Sequence, residues 1–525
     1  MRHRAAVSRR LFPPMLPMVA GTSIAGAAAA GLLAVLALRS TSTLLHLGAP
    51  LVLVGVAAWM FFSDRYERTL AVLALYLGLF DGFLKLKTGS TIATLGRDVL
   101  LYAIAAGALL RLLLRRRPVV IPKLSVVVAV WVVICVVQVL NPVVPSISHA
   151  VAGVRQHIEF VPLFFLGYAV MRSERRLMGL FALLIVVAAV NGVVSLIQSH
   201  LSPAGLAAWG PGYASEAFGT AYQSARIFAN AAGQILVRPP ALGSDFGFGG
   251  EVAAMALPCA LALVVAGGIA RRYTPVIGAG AVLAVVGLAT SQSRTAVVTT
   301  AIAVVVFLLL TVTSRRGLVA VVITIIFALV TYGGVTTFFG GVTTSANRYG
   351  SIAPTKVIST TVGYRQSTLA LIPTYIADYP LGAGIGEKGP AGASGVGGRI
   401  VNTLDAESEP TFLILELGVP GLVAMLALVI GGITMGIGLR RVDDRRLQCL
   451  LAAVTAVLVA LCASWVVGVD TANSPTSPFI WLALGTLAYW HSEMRRARIK
   501  KRSGRLRASF ATSRGSAPPM PVGAG

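Results

Sequence analysis

The sequence predicts an all-α, polytopic integral membrane protein with about 12–14 transmembrane helices. Three observations carry that prediction. Of 525 residues, 56% are hydrophobic and only 12% charged, whereas soluble chains keep roughly a quarter of their residues charged. Apolar segments recur from residue 16 to residue 490 with short polar linkers between most of them. The basic residues, finally, gather in small clusters inside those linkers. A mean hydropathy of +0.81 fits a chain whose solvent is the bilayer. The net charge of +25 does not point to nucleic acid, because it is dispersed in short clusters suited to anionic lipid at a cytoplasmic face.

The elements follow in order. Residues 1–15 form a basic N-terminus carrying Arg2, Arg4, Arg9 and Arg10. The apolar segment 16–38 is long for a cleaved signal and reads as the first span. Further apolar segments lie at 44–62, 69–84, 98–114, 124–140, 157–171, 177–198, 251–269, 273–291, 294–312, 317–335, 410–439, 447–469 and 477–490. With the N-terminus in the cytoplasm, every strongly basic linker falls on that same side. These are Arg65/Arg68, Arg115–Arg117, Arg172/Arg175/Arg176, Arg271/Arg272, Arg315/Arg316, Arg440/Arg441/Arg445/Arg446 and the tail from Arg495. A miscounted span would flip everything after it, so the bias argues for an even number of spans and two cytoplasmic termini. The membrane domain is then 16–490, with a basic tail at 491–525 that composition predicts to be disordered. Cys135, Cys259, Cys449 and Cys462 fall in or beside apolar segments without a CxxC pair, which argues against a zinc site or a disulfide framework.

Two stretches remain on the external side, about 199–250 and 336–409. The second contains a predicted interfacial helix, Arg365–Tyr379, with Leu369, Ile372, Ile376 and Tyr379 at helical spacing. A glycine-rich run follows, Gly382–Gly398. It lacks the Lys-Ser/Thr of a phosphate loop and reads as flexible. Glu416 sits in an otherwise apolar span, where a carboxyl faces a protein interior or a wet cavity; Asp81 is a similar case. Asp405, Glu407 and Glu409 cluster just before the span at 410–439. They suit either a hydrated helix start or a general base for an acceptor hydroxyl. His149, His157 and His200 read as structural. Among sparse external arginines, Arg238, Arg294 and Arg365 stand out because each opens or ends a membrane-proximal element, and guanidinium forks suit a diphosphate.

Five segments resemble the bacterial O-antigen ligase/polymerase superfamily of lipid-carrier-dependent membrane glycosyltransferases. They are VRPPALGSDFGFGGEVAAMALPCALAL (Val237–Leu263), TSQSRTAVV (Thr290–Val298), YRQSTLALIPTYIADYPLGAGIG (Tyr364–Gly386), ESEPTFLILELGVPG (Glu407–Gly421) and FIWLALG (Phe479–Gly485). The resemblance covers roughly residues 225–490; earlier spans are similar only in hydropathy. It implies a GT-C-like fold with a large external loop between late helices, located in the bacterial plasma membrane. It also implies a reaction without metal or other cofactor, in which a polyprenyl-diphosphate-linked glycan passes to a glycan or lipid-linked acceptor hydroxyl at the outer face. Carried over by position, Arg238, Arg294 and Arg365 would bind the diphosphate, and Glu407 and Glu409 become the candidate catalytic carboxylates. The sequence departs from ligases at one place. Eleven residues before the first glycine of Gly-x-x-Gly, Gly418, those enzymes resemble one another in a His-bearing pair, and here Glu407-Ser408 stands. That favours a polymerase or a diverged transferase. A flippase or other transporter, and an assembly protein without turnover, remain open alternatives on sequence alone.

Overall fold

A computed structural model describes residues 43–89, 92–115, 121–218, 227–229, 235–267, 271–312, 363–388 and 406–515. The apolar segments 16–38 and 317–335, and Arg226, Arg348, Arg399 and Asp405, lie outside the described residues.

Helices make up almost all of the described structure. In chain order they are α1 (Thr43–Phe62), α2 (Tyr66–Thr88), α3 (Ile92–Arg115), α4 (Ser125–Val137), α5 (Ile147–Ile158), α6 (Val161–Val170) and α7 (Glu174–Ser199). The short α8 (Pro203–Ala207) and α9 (Pro211–Phe218) follow. Then come α10 (Phe248–Ala266), α11 (Thr274–Thr290), α12 (Arg294–Thr311), α13 (Gly363–Ala370), α14 (Ile372–Asp378), α15 (Glu409–Gly438), α16 (Arg445–Ser464) and α17 (Thr476–Gly515). A two-stranded antiparallel hairpin, Ile227–Ala229 with Ile235–Val237, sits between α9 and α10. Six helices among the described residues are long and apolar enough to cross a membrane, and three shorter apolar helices accompany them. The architecture is that of an all-α, multi-pass membrane protein.

Several helix boundaries follow from proline. The expected span at 157–171 is broken between α5 and α6 because Pro162 occupies the first turn of α6, where its missing N–H costs nothing. Pro373 likewise separates α13 from α14. The packed face there differs from the expected stripe. Thr368 and Tyr375 are buried, whereas Ile376 is 39% exposed, because the pair seats Tyr375 against Ile414 and Leu415 of α15. α17 runs as one helix to Gly515, through most of a tail expected to be disordered.

The two ends of the bundle differ chemically. At one end the basic turns gather: Arg176 pairs with Glu67, Arg172 covers the rings of Tyr168 and Tyr489, and Arg445 donates to the Thr311 carbonyl at 2.5 Å. At the other end lie the start of α10, the turn between α11 and α12, the start of α15 and the turn between α16 and α17. The core beneath them is apolar and close-packed. α6 meets α17 where a Cβ on Gly167 would stand 2.5 Å from the Leu482 carbonyl oxygen, an approach open only to glycine.

Candidate functional site

α15 is two helices joined at a break. Gly418 adopts φ 71° and ψ −172° in the middle of it, so Glu409–Leu417 and Val419–Gly438 have different axes. Pro420, two residues on, cannot donate to a carbonyl in the first piece. The break frees backbone groups, and the glycine-rich turn after α14 takes them up. Val419 N donates to Pro380 O at 3.0 Å, and Ala383 N to Leu415 O at 2.7 Å. Gly382, Gly384 and Gly386 all have positive φ, which lets this turn curl tightly over the break. From α4 and the residues after it, Gln138 donates to Leu381 O and Asn141 to Gly382 O.

Glu416 lies at the centre of this unit and is fully buried. Its carboxylate accepts from Gly386 N at 2.6 Å, Lys388 N, Gln156 Nε2 at 3.1 Å and His157 Nε2 at 3.3 Å. The glycine run was expected to be flexible. Its described part, 382–388, is instead docked, because the Gly386 and Lys388 N–H groups both donate to the protein's own carboxylate. His157 is sandwiched as well: its ring stacks on Phe412 at 5.3 Å and meets Trp131 edge-on at 5.8 Å. His149 Nε2 stands 3.5 Å from Glu387 Oε1, both side chains being 2% exposed. Burial raises the Glu387 carboxyl above its usual range, and the nearby His149 opposes that rise.

Beside this unit, three of the segments singled out by sequence converge. The stretch leading to α10 is pinned by Gln198, which exchanges two hydrogen bonds with Ala241, and by Asn191, which accepts from Leu242 N at 3.0 Å. Gly247, at φ 82°, leaves so little room that a Cβ would lie 2.9 Å from Ser293 Cβ. The Arg238-led segment therefore rests on the turn that opens α12. Ser293 caps that helix by accepting from Ala296 N at 3.2 Å, and Arg294 is its first residue. One turn into α10, Glu251 is near enough to Asp245 and Asp470 to interact electrostatically with both.

Ser408 caps α15 in a capping box with Thr411, which fixes the directions of Glu407 and Glu409. Glu407 is exposed. Glu409 is fully buried and accepts from Asp470 N at 2.6 Å, Thr471 N at 3.1 Å and the Thr471 hydroxyl. Both of its oxygens are occupied, so its geometry is that of a strut under the 470–471 turn rather than of an open base. Glu409 is one of the two expected catalytic carboxylates, with Glu407, and it differs from Glu407 in this commitment to the 470–471 turn. Asp470 accepts from Ser464 Oγ at 2.6 Å. Burial lifts its carboxyl to about 6, and hydrogen bonds from Ser464 and Thr476 hold it from rising further.

Of the expected diphosphate ligands, Arg238 is half-buried, and its Nε is buried without a hydrogen-bond partner among the described residues. Arg294 is half-buried at the α12 start. Arg365 lies in α13, whose first-turn side chains are outside the described residues. Two other arginines expected on the external side are committed elsewhere. Arg97 pairs with Glu159 at 2.5 Å and Asp81 at 3.5 Å, and Arg155 pairs with Asp98 at 2.6 Å. Sequence reasoning missed Glu251, Asp470, Gln138 and Gln156. Glu251 carried a signal, being an acid one turn into an apolar span; Asp470 is a loop carboxylate with none.

No curated protein matches the chain at a significant level. Residues 279–426, from α11 into α15 and including Arg294, Arg365, Glu407 and the Glu416–Gly418 break, match the family described as O-antigen ligase. That stretch is similar to the O-antigen ligase/polymerase superfamily, and within the multi-pass helical fold around it the match supports, in general terms, lipid-linked glycan transfer in surface polysaccharide assembly.

Proposed function

We propose that the protein transfers or polymerises a glycan from a polyprenyl-diphosphate carrier onto an acceptor hydroxyl at the outer face of the bacterial plasma membrane. The observation that carries the reading is Arg238: a buried guanidinium nitrogen lacks a hydrogen-bond acceptor among the described residues, on the segment that packs against the Arg294 turn. Buried donors are nearly always satisfied, and a diphosphate oxygen supplies the acceptor. The outer face offers no ATP, so the reaction draws on a leaving group activated beforehand.

In this reading the acceptor oxygen attacks the anomeric carbon while the bond from that carbon to the carrier diphosphate breaks. The electron pair leaves with the diphosphate, whose growing charge Arg238, Arg294 and Arg365 stabilise. The acceptor proton passes to Glu407, the exposed carboxylate at the mouth of the site. Glu409 positions Glu407 indirectly by fixing the start of α15 against the 470–471 turn. An axial diphosphate would be displaced with inversion.

Arg238→Ala in cells tests this directly. The expected result is loss of polymer at normal protein level, with carrier-linked glycan accumulating on the outer leaflet. Accumulation confined to the inner leaflet would make the protein a flippase instead. Cysteine labelling that places Glu407 and Arg365 in the cytosol would remove the donor from the site and end the proposal.

A further inference from the structure

A small pocket opens at the basic end of the bundle, at the turn between α1 and α2. Trp59, Phe62, Ser63, Asp64, Arg65 and Arg68 line a cavity of ≈ 270 Å³. Sites for drug-sized molecules measure roughly 300–1,000 Å³, so this one suits a headgroup better than an oligosaccharide. Its two arginines differ from their neighbours. Arg111 donates to Tyr66 Oη and the Phe61 carbonyl, both at 2.8 Å. Arg176 is paired with Glu67, and Arg172 lies over two tyrosine rings. The side chains of Arg65 and Arg68 have no ion-pair or hydrogen-bond partner among the described residues.

The rim adds direction. Phe62 is 78% exposed and Trp59 44% exposed, and a half-wet indole beside a basic turn is the arrangement of a membrane interface. One side of the pocket therefore faces acyl chains and the other faces water. The charges fit one ligand class. Two guanidiniums against the single carboxylate of Asp64 leave one net positive charge. That matches the single negative charge of a phosphodiester better than the larger charge of inorganic phosphate or a diphosphate.

We infer that this pocket binds the phosphodiester of a membrane phospholipid, with Arg65 and Arg68 on the phosphate and Trp59 and Phe62 against the glycerol and upper acyl chain. The lipid belongs to the leaflet at the basic end, opposite the glycan-transfer site, and the inference does not depend on that site's chemistry.

The test uses full-length protein in phosphatidylglycerol nanodiscs, released into detergent, with retained lipid counted by native mass spectrometry. Arg65→Gln with Arg68→Gln is expected to lose one tightly held lipid, its retention being roughly 30-fold weaker for two arginines removed at a membrane surface. Arg440→Gln with Arg441→Gln, at the same end, is expected to keep it. Equal loss in both double variants would reduce the effect to diffuse electrostatics and overturn the site, as would unchanged retention in the first. Release of the lipid by excess inorganic phosphate would make it a free-anion site and overturn the lipid assignment. As a second measurement, brominated-chain phosphatidylglycerol should quench tryptophan emission in the wild type, and Trp59→Phe should lose most of the salt-resistant part. Undiminished quenching in Trp59→Phe would place the lipid elsewhere.

Discussion

Glu416 offers the sharpest test of how the end of the bundle opposite the basic turns is built. Its carboxylate sits at zero exposure and receives four donors from two parts of the chain: Gly386 and Lys388 of the glycine turn, and Gln156 and His157 of α5. Glu416→Gln keeps the volume but changes the chemistry. One oxygen remains to accept, while the new amide turns its own hydrogens toward a backbone N–H that it cannot satisfy. Each buried donor left unpaired costs about 1–3 kcal/mol. With the Lys388 N–H orphaned, since it alone sits on Oε1 while the other three donors share Oε2, undocking of the 382–388 turn becomes easier by about 1–3 kcal/mol. At about 1.4 kcal/mol per decade, amide exchange in that turn should accelerate roughly 5- to 150-fold if it exchanges by local opening. Hydrogen-exchange mass spectrometry on peptides spanning residues 380–388 reads this directly, with α16 peptides as an internal control. Unchanged protection in the turn, in a variant whose α16 peptides are also unchanged, would refute the claim that the carboxylate holds it. Acceleration everywhere would mean global destabilisation, and would refute the local account too.

Other outcomes follow from the same geometry. Gly418→Ala must place a Cβ 2.5 Å from the Leu381 carbonyl carbon at positive φ, so a loss of about 1–3 kcal/mol or more is expected in detergent unfolding. Arg294→Ala should lower glycan transfer on the order of 100-fold at normal membrane level, if its guanidinium meets transition-state charge. Carrier-linked glycan in the outer leaflet is the measurement. Glu407→Gln should cut turnover roughly 100-fold or more with little change in protein level, whereas Glu409→Gln should first show as reduced stability. Near-normal polymer from Glu407→Gln would remove it from the base role. Asp470 titrates at about 6 in the folded chain against an ordinary 3.8. Folding therefore holds a proton that the unfolded chain releases. That contribution is complete at low pH and disappears as pH rises through about 6. The unfolding temperature should accordingly drop between about pH 4 and about pH 7, and Asp470→Asn should flatten the profile.

The sequence by itself determined the solvent, the helical class and the segregation of charge. Hydrophobic runs of span length cannot be satisfied in water, and clustered arginines must share one end of the bundle. Those constraints are local and additive, which is why composition and spacing expose them. The breaks at Pro162 and Pro373 were not read from the sequence, which predicted single elements at 157–171 and Arg365–Tyr379; the structure showed the seams. Arg238, Arg294 and Glu407 were readable as candidates because each opens or precedes a membrane-proximal element.

Only the tertiary structure decided which surroundings each polar group met. Arg97 and Arg294 look alike in sequence, yet the first is committed to Glu159 and Asp81, and the second opens a helix beside the Arg238 segment. Glu407 and Glu409 are two residues apart. One is exposed, and the other is locked beneath a turn more than sixty positions later. The glycine run likewise reads as slack until Glu416 is seen to fill it. A side chain's chemistry depends on who shares its hydrogen bonds and whether water reaches it. Both are set by contacts between segments far apart in the chain, which no local pattern encodes.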